Sequence, residues 1–392
     1  NINASSLTGG YGANSITLNG LTAEVLIASL ADDIFNFTAG GSFNGSVNGF
    51  TGIDTFDYHL YTGGVNVNLS TGAATGTLGV SNIENLIGSN YADALTGDDH
   101  DNVITGGAGN DMLTGLGGND LYLFQDNFGV DSIVEAALGG EDTMDFTAVT
   151  QMLTMTVTDT TVHVTYGVND ASHTGIYVEH FLGALGQTTL DLSAYLTGRH
   201  VVLTNLGTDH GFMGYVEYTP TPYTFDNIDR IIGTTAADDS LTGMNAIALW
   251  TLTEETGGSY VSTNTLTFTG FESLIGGSDA DTFRVTEGIT YIGAVDGAAG
   301  EDTLSYSAYT TDVQVDLTGL GSMDGFNLTA PGIAGGLMNI DRLVGGDGLD
   351  TLNALSTAGT FEFGLISRYI NSGHDLEFSA LEQLNGSDEN DS

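Results

Sequence analysis

Acidic and amide side chains recur at a spacing of nine residues between positions 88 and 123. This segment divides without gaps into four nonapeptides, GSNYADALT, GDDHDNVIT, GGAGNDMLT and GLGGNDLYL. The sixth residue of each is acidic or an amide, and the eighth is apolar (Leu95, Ile104, Leu113 and Tyr122). Carboxylate and carbonyl oxygens are the ligands that Ca²⁺ prefers. The spacing therefore predicts calcium-binding turns in which the sixth residue binds the ion and the eighth packs inwards.

The predicted ligands share one phase, in which glycines precede an acid and an apolar residue follows it by two positions. Glycine permits the left-handed backbone of tight turns. Within the repeat block the candidates are Asp93, Asn102, Asp111 and Asp120, with Gly106, Gly107 and Gly109 of the most complete motif and Asp101 beside the irregular Asn102. Outside the block they are Asp131, Asp142, Asp281, Asp302 and Asp350. For isolated positions, which include Asp33 and Asp54, an alternative stays open, because a lone Asp also hydrogen-bonds its own turn.

The four tandem nonapeptides resemble the G-G-x-G-x-D-x-U-x repeat of the RTX (repeats-in-toxin) family. The resemblance implies an all-β fold, a right-handed parallel β-roll or β-helix solenoid with calcium-binding turns, in which six residues turn and three form a strand. Since two nonapeptides complete one coil, neighbours on one edge lie two units apart. We therefore expect Asp93 to lie beside Asp111, and Asn102 beside Asp120.

A longer duplication overlies the short repeat. Residues 33–69 match residues 281–317 at a constant offset, and an Asn-Ile-acid tripeptide recurs at 82–84, 227–229 and 339–341. These long units resemble the repeats of giant bacterial adhesins and extracellular matrix proteins. We predict a β-solenoid module at 1–87, an RTX-like β-roll at 88–145, a degenerate β module with an insertion at 146–260, and a second copy of the solenoid module at 261–392.

The charge balance is strongly acidic. Fifty Asp and Glu residues stand against five Arg and no Lys, which gives a formal net charge of −45. Nucleic acid and anionic membranes would repel such a chain, so we expect neither as a partner, and divalent cations are the natural counter-ions. A hydrophobic content of 41% argues against disorder. Cysteine is absent, which excludes disulfides and thiolate metal sites, and the apolar runs are too short to span a bilayer.

The common catalytic signatures are missing. A chain without Lys has no P-loop or Schiff-base lysine, and neither H-E-x-x-H nor G-x-S-x-G occurs. Two carboxylates suffice for a glycosidase, but nearly all the acids here lie in the repeat phase, so we predict that the chain is not an enzyme. The eight His show no ligand spacing. Aromatic residues at the eighth position fit a stacked core better than a sugar-binding stripe.

These observations favour a structural extracellular protein, in which Ca²⁺ stabilises β-solenoid repeats that self-associate into a filament, adhesin stalk or surface layer. The alternative is the secretion and folding module of an RTX enzyme or toxin whose active domain lies elsewhere; an adhesive domain that binds a glycan or surface ligand is a third reading. The family resemblance implies type I secretion to the bacterial surface. The chain opens at Asn1 without a signal peptide, and residues 386–392 look like an interrupted repeat, so we expect a window from a longer protein.

Overall fold

The computed structural model describes residues 3–8, 12–135, 139–175, 177–217 and 222–387, and every regular element within these ranges is a β-strand. The predicted all-β solenoid of mainly parallel strands is thereby confirmed. Most of the interrupted repeat predicted at 386–392 lies outside the described residues. No helix in the described ranges has the length and apolar character needed to cross a bilayer.

The chain divides into two compact units. The first contains residues 1–188 and 223–225, and the second contains residues 189–222 and 226–392. The strands up to residue 182 are β1 (Asn3–Thr8), β2 (Ser15–Leu18), β3 (Leu21–Ile27), β4 (Ile34–Thr38), β5 (Phe43–Asn48), β6 (Thr55–Leu60), β7 (Asn66–Asn68), β8 (Ala73–Ala74), β9 (Gly79–Ser81), β10 (Asn85–Ile87), β11 (Ala94–Thr96), β12 (Val103–Thr105), β13 (Met112–Thr114), β14 (Leu121–Gln125), β15 (Val130–Val134), β16 (Thr143–Ala148), β17 (Leu153–Val157), β18 (Thr161–Tyr166), β19 (Asn169–Thr174) and β20 (His180–Leu182).

The remaining strands follow the same alternation of short parallel strands and longer hairpins. They are β21 (Thr188–Asp191), β22 (His200–Leu206), β23 (Phe212–Val216), β24 (Tyr223–Ile228), β25 (Arg230–Ile232), β26 (Ser240–Thr242), β27 (Ala248–Glu254), β28 (Gly257–Val261), β29 (Thr265–Thr269), β30 (Ser273–Ile275), β31 (Asp281–Val285), β32 (Ala294–Asp296), β33 (Thr303–Ser305), β34 (Gln314–Leu320), β35 (Phe326–Ala330), β36 (Ile333–Ile340), β37 (Arg342–Val344), β38 (Thr351–Asn353), β39 (Thr360–Glu362), β40 (Ser367–Asn371), β41 (His374–Ser379) and β42 (Gln383–Asn385).

Two long sheets run along the first unit. One has the order β2-β4-β6-β10-β12-β14-β16-β20, with every neighbouring pair parallel. The other has the order β8-β7-β11-β13-β15-β19-β18-β17, and it is parallel from β7 to β19. A short third sheet, β1-β3-β5-β9, is also parallel. Because successive strands alternate between the sheets, each strand pairs with the one that follows a full coil later.

The nonapeptides form the coil that their spacing predicts. Strands β11, β12 and β13 are each three residues long and are separated by six-residue turns. Leu95 lies opposite Leu113 in one sheet, and Ile104 lies opposite Tyr122 in the other. All four side chains are fully buried. The predicted inward direction of the eighth residue and the predicted two-unit coil are both confirmed.

The second unit repeats this plan with more antiparallel insertions. Its sheets have the orders β23-β22-β26-β30-β32-β36-β35-β34-β38-β42 and β21-β25-β29-β28-β27-β31-β33-β37-β41-β40-β39. Its core includes Trp250, which stacks on Phe283 at a ring separation of 5.7 Å. Both rings are fully buried, as expected for a core ladder of aromatic residues.

Three-stranded meanders interrupt the coil. In each, neighbouring strands are antiparallel, and the third strand pairs in parallel with the strand of the same sheet from the coil before. The first unit contains β17-β18-β19, and the second contains β27-β28-β29, β34-β35-β36 and β39-β40-β41. The insertion predicted within 146–260 therefore consists of β hairpins that are continuous with the sheets.

Candidate metal centre

A ladder of carboxylates runs along the edges of the coil. Each acid lies at the start of a strand, and one of its oxygens accepts the backbone N–H of the equivalent residue in the preceding coil. On one edge of the first unit, Asp111 Oδ1 accepts the N–H of Asp93 at 2.9 Å, and Asp131 Oδ1 accepts that of Asp111 at 2.9 Å. On the other edge, Asp120 Oδ1 accepts the N–H of Asn102 at 2.8 Å, and Asp142 Oδ1 accepts that of Asp120 at 2.8 Å. The expected pairs Asp93–Asp111 and Asn102–Asp120 are confirmed.

The second unit contains the same ladder. Asp302 Oδ1 accepts the N–H of Asp281 at 2.7 Å, and Asp350 Oδ1 accepts that of Val313 at 2.8 Å. These acids are almost completely buried, as are all the predicted Asp and Asn ligands except Asp101. Asp101 lies on the exposed face of its turn, where Oδ1 accepts the N–H of Asn119 at 2.7 Å. The fixed phase of the acids therefore has a structural cause that does not depend on an ion.

In seven turns, a glycine five residues before the acid makes room for its carboxylate. A Cβ on Gly106 would lie 2.4 Å from Asp111 Oδ2, and one on Gly345 would lie 2.5 Å from Asp350 Oδ2. Neither distance is compatible with a real side chain. The same close approach of Oδ2 occurs at Gly49, Gly88, Gly115, Gly276 and Gly297. The Gly–Asp spacing is thus a steric requirement of these seven turns, whereas Asp33, Asp131 and Asp142 have another residue at the position five before them.

The second carboxylate oxygen divides the turns into two kinds. In a closed turn, an oxygen of the acid or amide also accepts the N–H of the residue four positions earlier, so the turn satisfies itself. Ser89 donates to Asp93 Oδ2 at 2.6 Å, and Gly346 donates to Asp350 Oδ2 at 2.5 Å. The closed turns are those of Asp33, Asp93, Asn102, Asp281 and Asp350.

In an open turn, Oδ2 is buried and accepts no hydrogen bond. The open turns are those of Asp54, Asp111, Asp120, Asp131, Asp142 and Asp302. Wherever it is described, the residue four positions before the acid has a positive φ, as at Gly107 (95°) and Leu116 (86°), so its N–H points away from the carboxylate. A positive φ on Leu is strained, and such conformations persist only where the surroundings enforce them.

Burial raises the pKa of the open-turn acids. Desolvation is the largest cause, and it places the pKa of Asp111 at about 6, those of Asp120 and Asp142 at about 7, and that of Asp131 at about 8. Asp33, in a closed turn, has a lowered pKa because hydrogen bonds from Ser29 and Asn14 outweigh desolvation. Asp281 is closed but still has a pKa of about 6, again mainly because of burial.

In the described part of the first unit, open turns lie in consecutive coils only within residues 106–142. Asp111 and Asp131 occupy consecutive coils on one edge, and Asp120 and Asp142 do so on the other. Each pair places two acids with a buried, unbonded oxygen in consecutive coils, which suits a cation. Asp93 and Asn102, which the nonapeptide pattern also selects, use their side-chain polar atoms within the protein instead.

Several acids of the ladder escape the nonapeptide pattern. Glu84, Glu179, Glu272, Asp341 and Glu382 accept the N–H of an Asp from the preceding coil at 2.8–3.1 Å. The signal that identifies most of them is a residue with positive φ followed by an apolar residue and an acid. Asn82, Asn339, Gly270 and Ala380 have φ between 51° and 82° at that first position. The recurrent Asn-Ile-acid tripeptide is one form of this signal.

Comparison with known proteins adds no family assignment: no protein-family model matches the chain, and a search of the curated proteins finds no significant match.

Proposed function

We propose that the chain is a non-catalytic structural module of a secreted protein, in which Ca²⁺ stabilises a β-solenoid that assembles into a filament, adhesin stalk or surface layer. The observation that carries the proposal is the row of open turns at 106–142, where acids in consecutive coils each have a buried carboxylate oxygen without a hydrogen bond. Hard oxygen ligands in this arrangement suit Ca²⁺.

The charge distribution supports a requirement for cations. All five Arg lie at positions 199–368, so residues 1–188 contain neither Arg nor Lys. Buried carboxylates in this stretch can be neutralised only by protons, His or bound cations. Extracellular calcium modules bind at about 10⁻⁴–10⁻³ M, and sites of that strength would be filled outside a cell and empty in a calcium-poor cytosol. The same dependence suits the alternative, a secretion and folding module.

Assembly and folding can be tested together. Net repulsion from a charge of −45 opposes association of two copies until ions neutralise the turn edges. We expect millimolar CaCl₂ to produce linear oligomers by light scattering and electron microscopy. Molar NaCl with chelator, which shortens the Debye length to about 3 Å, should not produce them.

The outcomes separate the alternatives. Equal assembly in NaCl with chelator would refute the calcium-gated filament. A chain that folds with calcium but stays monomeric at high concentration would replace the filament by the folding module. Circular dichroism that is identical with CaCl₂ and with EGTA would refute both.

A further inference from the structure

Three buried carboxylates meet within the first unit. Asp120 precedes β14, Asp142 precedes β16 in the next coil, and Glu135 follows β15 in the facing sheet. One oxygen of each lies within 4.8 Å of the others, and all three side chains are buried. Glu135 belongs to no nonapeptide, so the repeat pattern does not account for it.

Hydrogen bonds hold each carboxylate by one oxygen. Asp120 Oδ1 accepts the N–H of Asn102, and Asp142 Oδ1 accepts the N–H of Asp120, both at 2.8 Å. Glu135 Oε1 accepts the N–H of Gly115 at 3.2 Å and the hydroxyl hydrogen of Tyr122. The Oδ2 atoms of Asp120 and Asp142 are buried and accept no hydrogen bond. Two fully buried carboxylates of this cluster therefore each have one oxygen without a hydrogen bond.

Gly115 creates the space that the cluster occupies. A Cβ at this position would lie 2.0 Å from Asp120 Oδ2 and 2.3 Å from Glu135 Oε1. At the corresponding Gly97 of the preceding coil, a Cβ would meet the side chain of Asn102, whose amide nitrogen donates to the carbonyl of Glu84 instead. Asp120 thus stands where the preceding coil has the uncharged Asn102, and this difference adds a negative charge to the edge of the coil.

Other acids dominate the electrostatic surroundings of Asp120 and Asp142. Residues 1–188 contain no Arg or Lys, and the groups that act electrostatically on Asp120 and Asp142 are other acids, Glu135 foremost among them. Burial of several carboxylates in one place is strongly unfavourable unless a proton or a cation neutralises them. Three carboxylates converging on one point are better matched by a divalent ion than by single protons.

We propose that Asp120, Glu135 and Asp142 form an internal Ca²⁺ site, in which the Tyr122 hydroxyl orients Glu135 towards the ion. Ca²⁺–oxygen bonds of 2.3–2.6 Å place opposite ligands about 5 Å apart, so three oxygens that all lie within 4.8 Å of one another can ligate a single ion. The all-oxygen donor set contains no His or Cys for Zn²⁺. The site rests on the proposed calcium dependence of the solenoid, and it adds a third carboxylate to that model.

Glu135→Gln tests the site, because it removes one charge while preserving size and an acceptor oxygen. By isothermal titration calorimetry, the variant should bind one Ca²⁺ fewer than the wild-type chain or bind that ion at least tenfold more weakly. Glu272→Gln is the matched control: Glu272 also accepts a ladder N–H, from Asp239 at 3.1 Å, but Oδ2 of Asp239 already accepts the N–H and the hydroxyl hydrogen of Thr234. Its calcium stoichiometry should equal that of the wild type.

A second measurement reports on the site directly. Tb³⁺ at the internal site would be excited through the neighbouring ring of Tyr122, so Tyr122→Phe should reduce tyrosine-sensitised Tb³⁺ luminescence while retaining the number of bound Ca²⁺ ions. Unchanged stoichiometry and affinity in Glu135→Gln, or an equal loss in Glu272→Gln, would overturn the internal site alone. A wild-type chain that binds no Ca²⁺ would overturn both this site and the proposed function.

Discussion

At the scale of single residues, the acid of each turn has two separable tasks. One oxygen joins the backbone ladder in every coil, whereas the other either closes its own turn or remains available. Asp350 represents the first case and Asp111 the second. Substitution of each by Asn should therefore have different consequences, although both occupy the same phase of the repeat.

We predict that Asp111→Asn is destabilising only when calcium is present. Its Oδ1 can still accept the N–H of Asp93, and without calcium the loss of a buried charge is neutral or favourable. With calcium at tenfold excess over Kd, loss of one site should lower the free energy of unfolding by about 1.4 kcal/mol. Urea denaturation followed by circular dichroism, with and without EGTA, measures both values.

Asp350→Asn is the matched comparison. Both oxygens of Asp350 accept backbone N–H groups, from Val313 and Gly346. In the Asn variant, the side-chain NH₂ would therefore face one of these N–H donors. We expect a loss of about 1–3 kcal/mol that is the same with calcium and with EGTA. Identical calcium dependence of the two variants would contradict the division into open and closed turns.

The glycine five residues before the acid gives a second residue-scale prediction. Gly106→Ala forces a Cβ to within 2.4 Å of Asp111 Oδ2, and overpacking of this kind destabilises by about 1–3 kcal/mol. Gly63→Ala is the control, since a Cβ there meets nothing within 4 Å. Thermal unfolding should show a lower Tm for Gly106→Ala only. Equal Tm values would mean that the turn relaxes to admit a side chain.

At the scale of elements, the meanders lengthen the path between successive acids without breaking the ladder. Asp120 and Asp142 are 22 residues apart, whereas Asp142 and Glu179, separated by β17-β18-β19, are 37 apart. Each of the second-unit meanders is followed by a tripeptide that contains a residue with positive φ, an apolar residue and an acid. This tripeptide returns the chain to the register of the coil. The ladder therefore marks where the coil resumes.

We predict that the acid following a meander stabilises through its hydrogen bond. Glu272→Ala leaves the buried N–H of Asp239 without its acceptor, which should lower the free energy of unfolding by about 1–3 kcal/mol. Glu272→Gln retains an acceptor and should lose less. Fluorescence of Trp250, the single tryptophan and fully buried in the same unit, follows the unfolding of that unit in urea. If Glu272→Gln lowered the free energy of unfolding as much as Glu272→Ala does, the cause would be the loss of charge and not the loss of the hydrogen bond.

At the scale of the whole molecule, buried acids and bound ions together determine how stability depends on pH. In the absence of calcium, the raised pKa values of about 6 to 8 at Asp111, Asp120, Asp131 and Asp142 mean that the folded state binds more protons than the unfolded state above pH 4. The stabilisation associated with these protons is complete below pH 4 and is lost as pH rises to about 8.

We therefore predict that, with EGTA, the Tm measured by far-UV circular dichroism falls between pH 5 and pH 8. Calcium should replace the protons, so the increase in Tm that it produces should be larger at pH 8 than at pH 5. A calcium effect that is constant over this range would show that protons and calcium do not compete for these carboxylates. Sodium chloride at the same ionic strength controls for screening.

The sequence by itself determined the coil, because the information is local. A nine-residue period with an apolar residue two positions after an acid fixes strand length, the buried face and the pairing of strands one coil apart, and Leu95, Leu113, Ile104 and Tyr122 pack as that pattern requires. The Gly–Asp phase also identified the ladder acids of the repeat block, although Glu84, Glu179, Glu272, Asp341 and Glu382 escaped it. It did not reveal that the ladder is made by carboxylates accepting backbone N–H groups, since those donors lie 18 or more residues away.

Only the tertiary structure decided which turns leave an oxygen available. Gly345–Asp350 matches the nonapeptide motif fully, yet its turn is closed, and the N–H of Asp347 donates to the carbonyl of Tyr309 in the preceding coil at 2.9 Å. Glu135 lies beside Asp120 and Asp142 because it follows a strand of the facing sheet and its carboxylate occupies the space left by the absent side chain of Gly115. The direction of a backbone N–H and the meeting of side chains from different coils depend on how neighbouring coils pack, and no repeat phase encodes that packing.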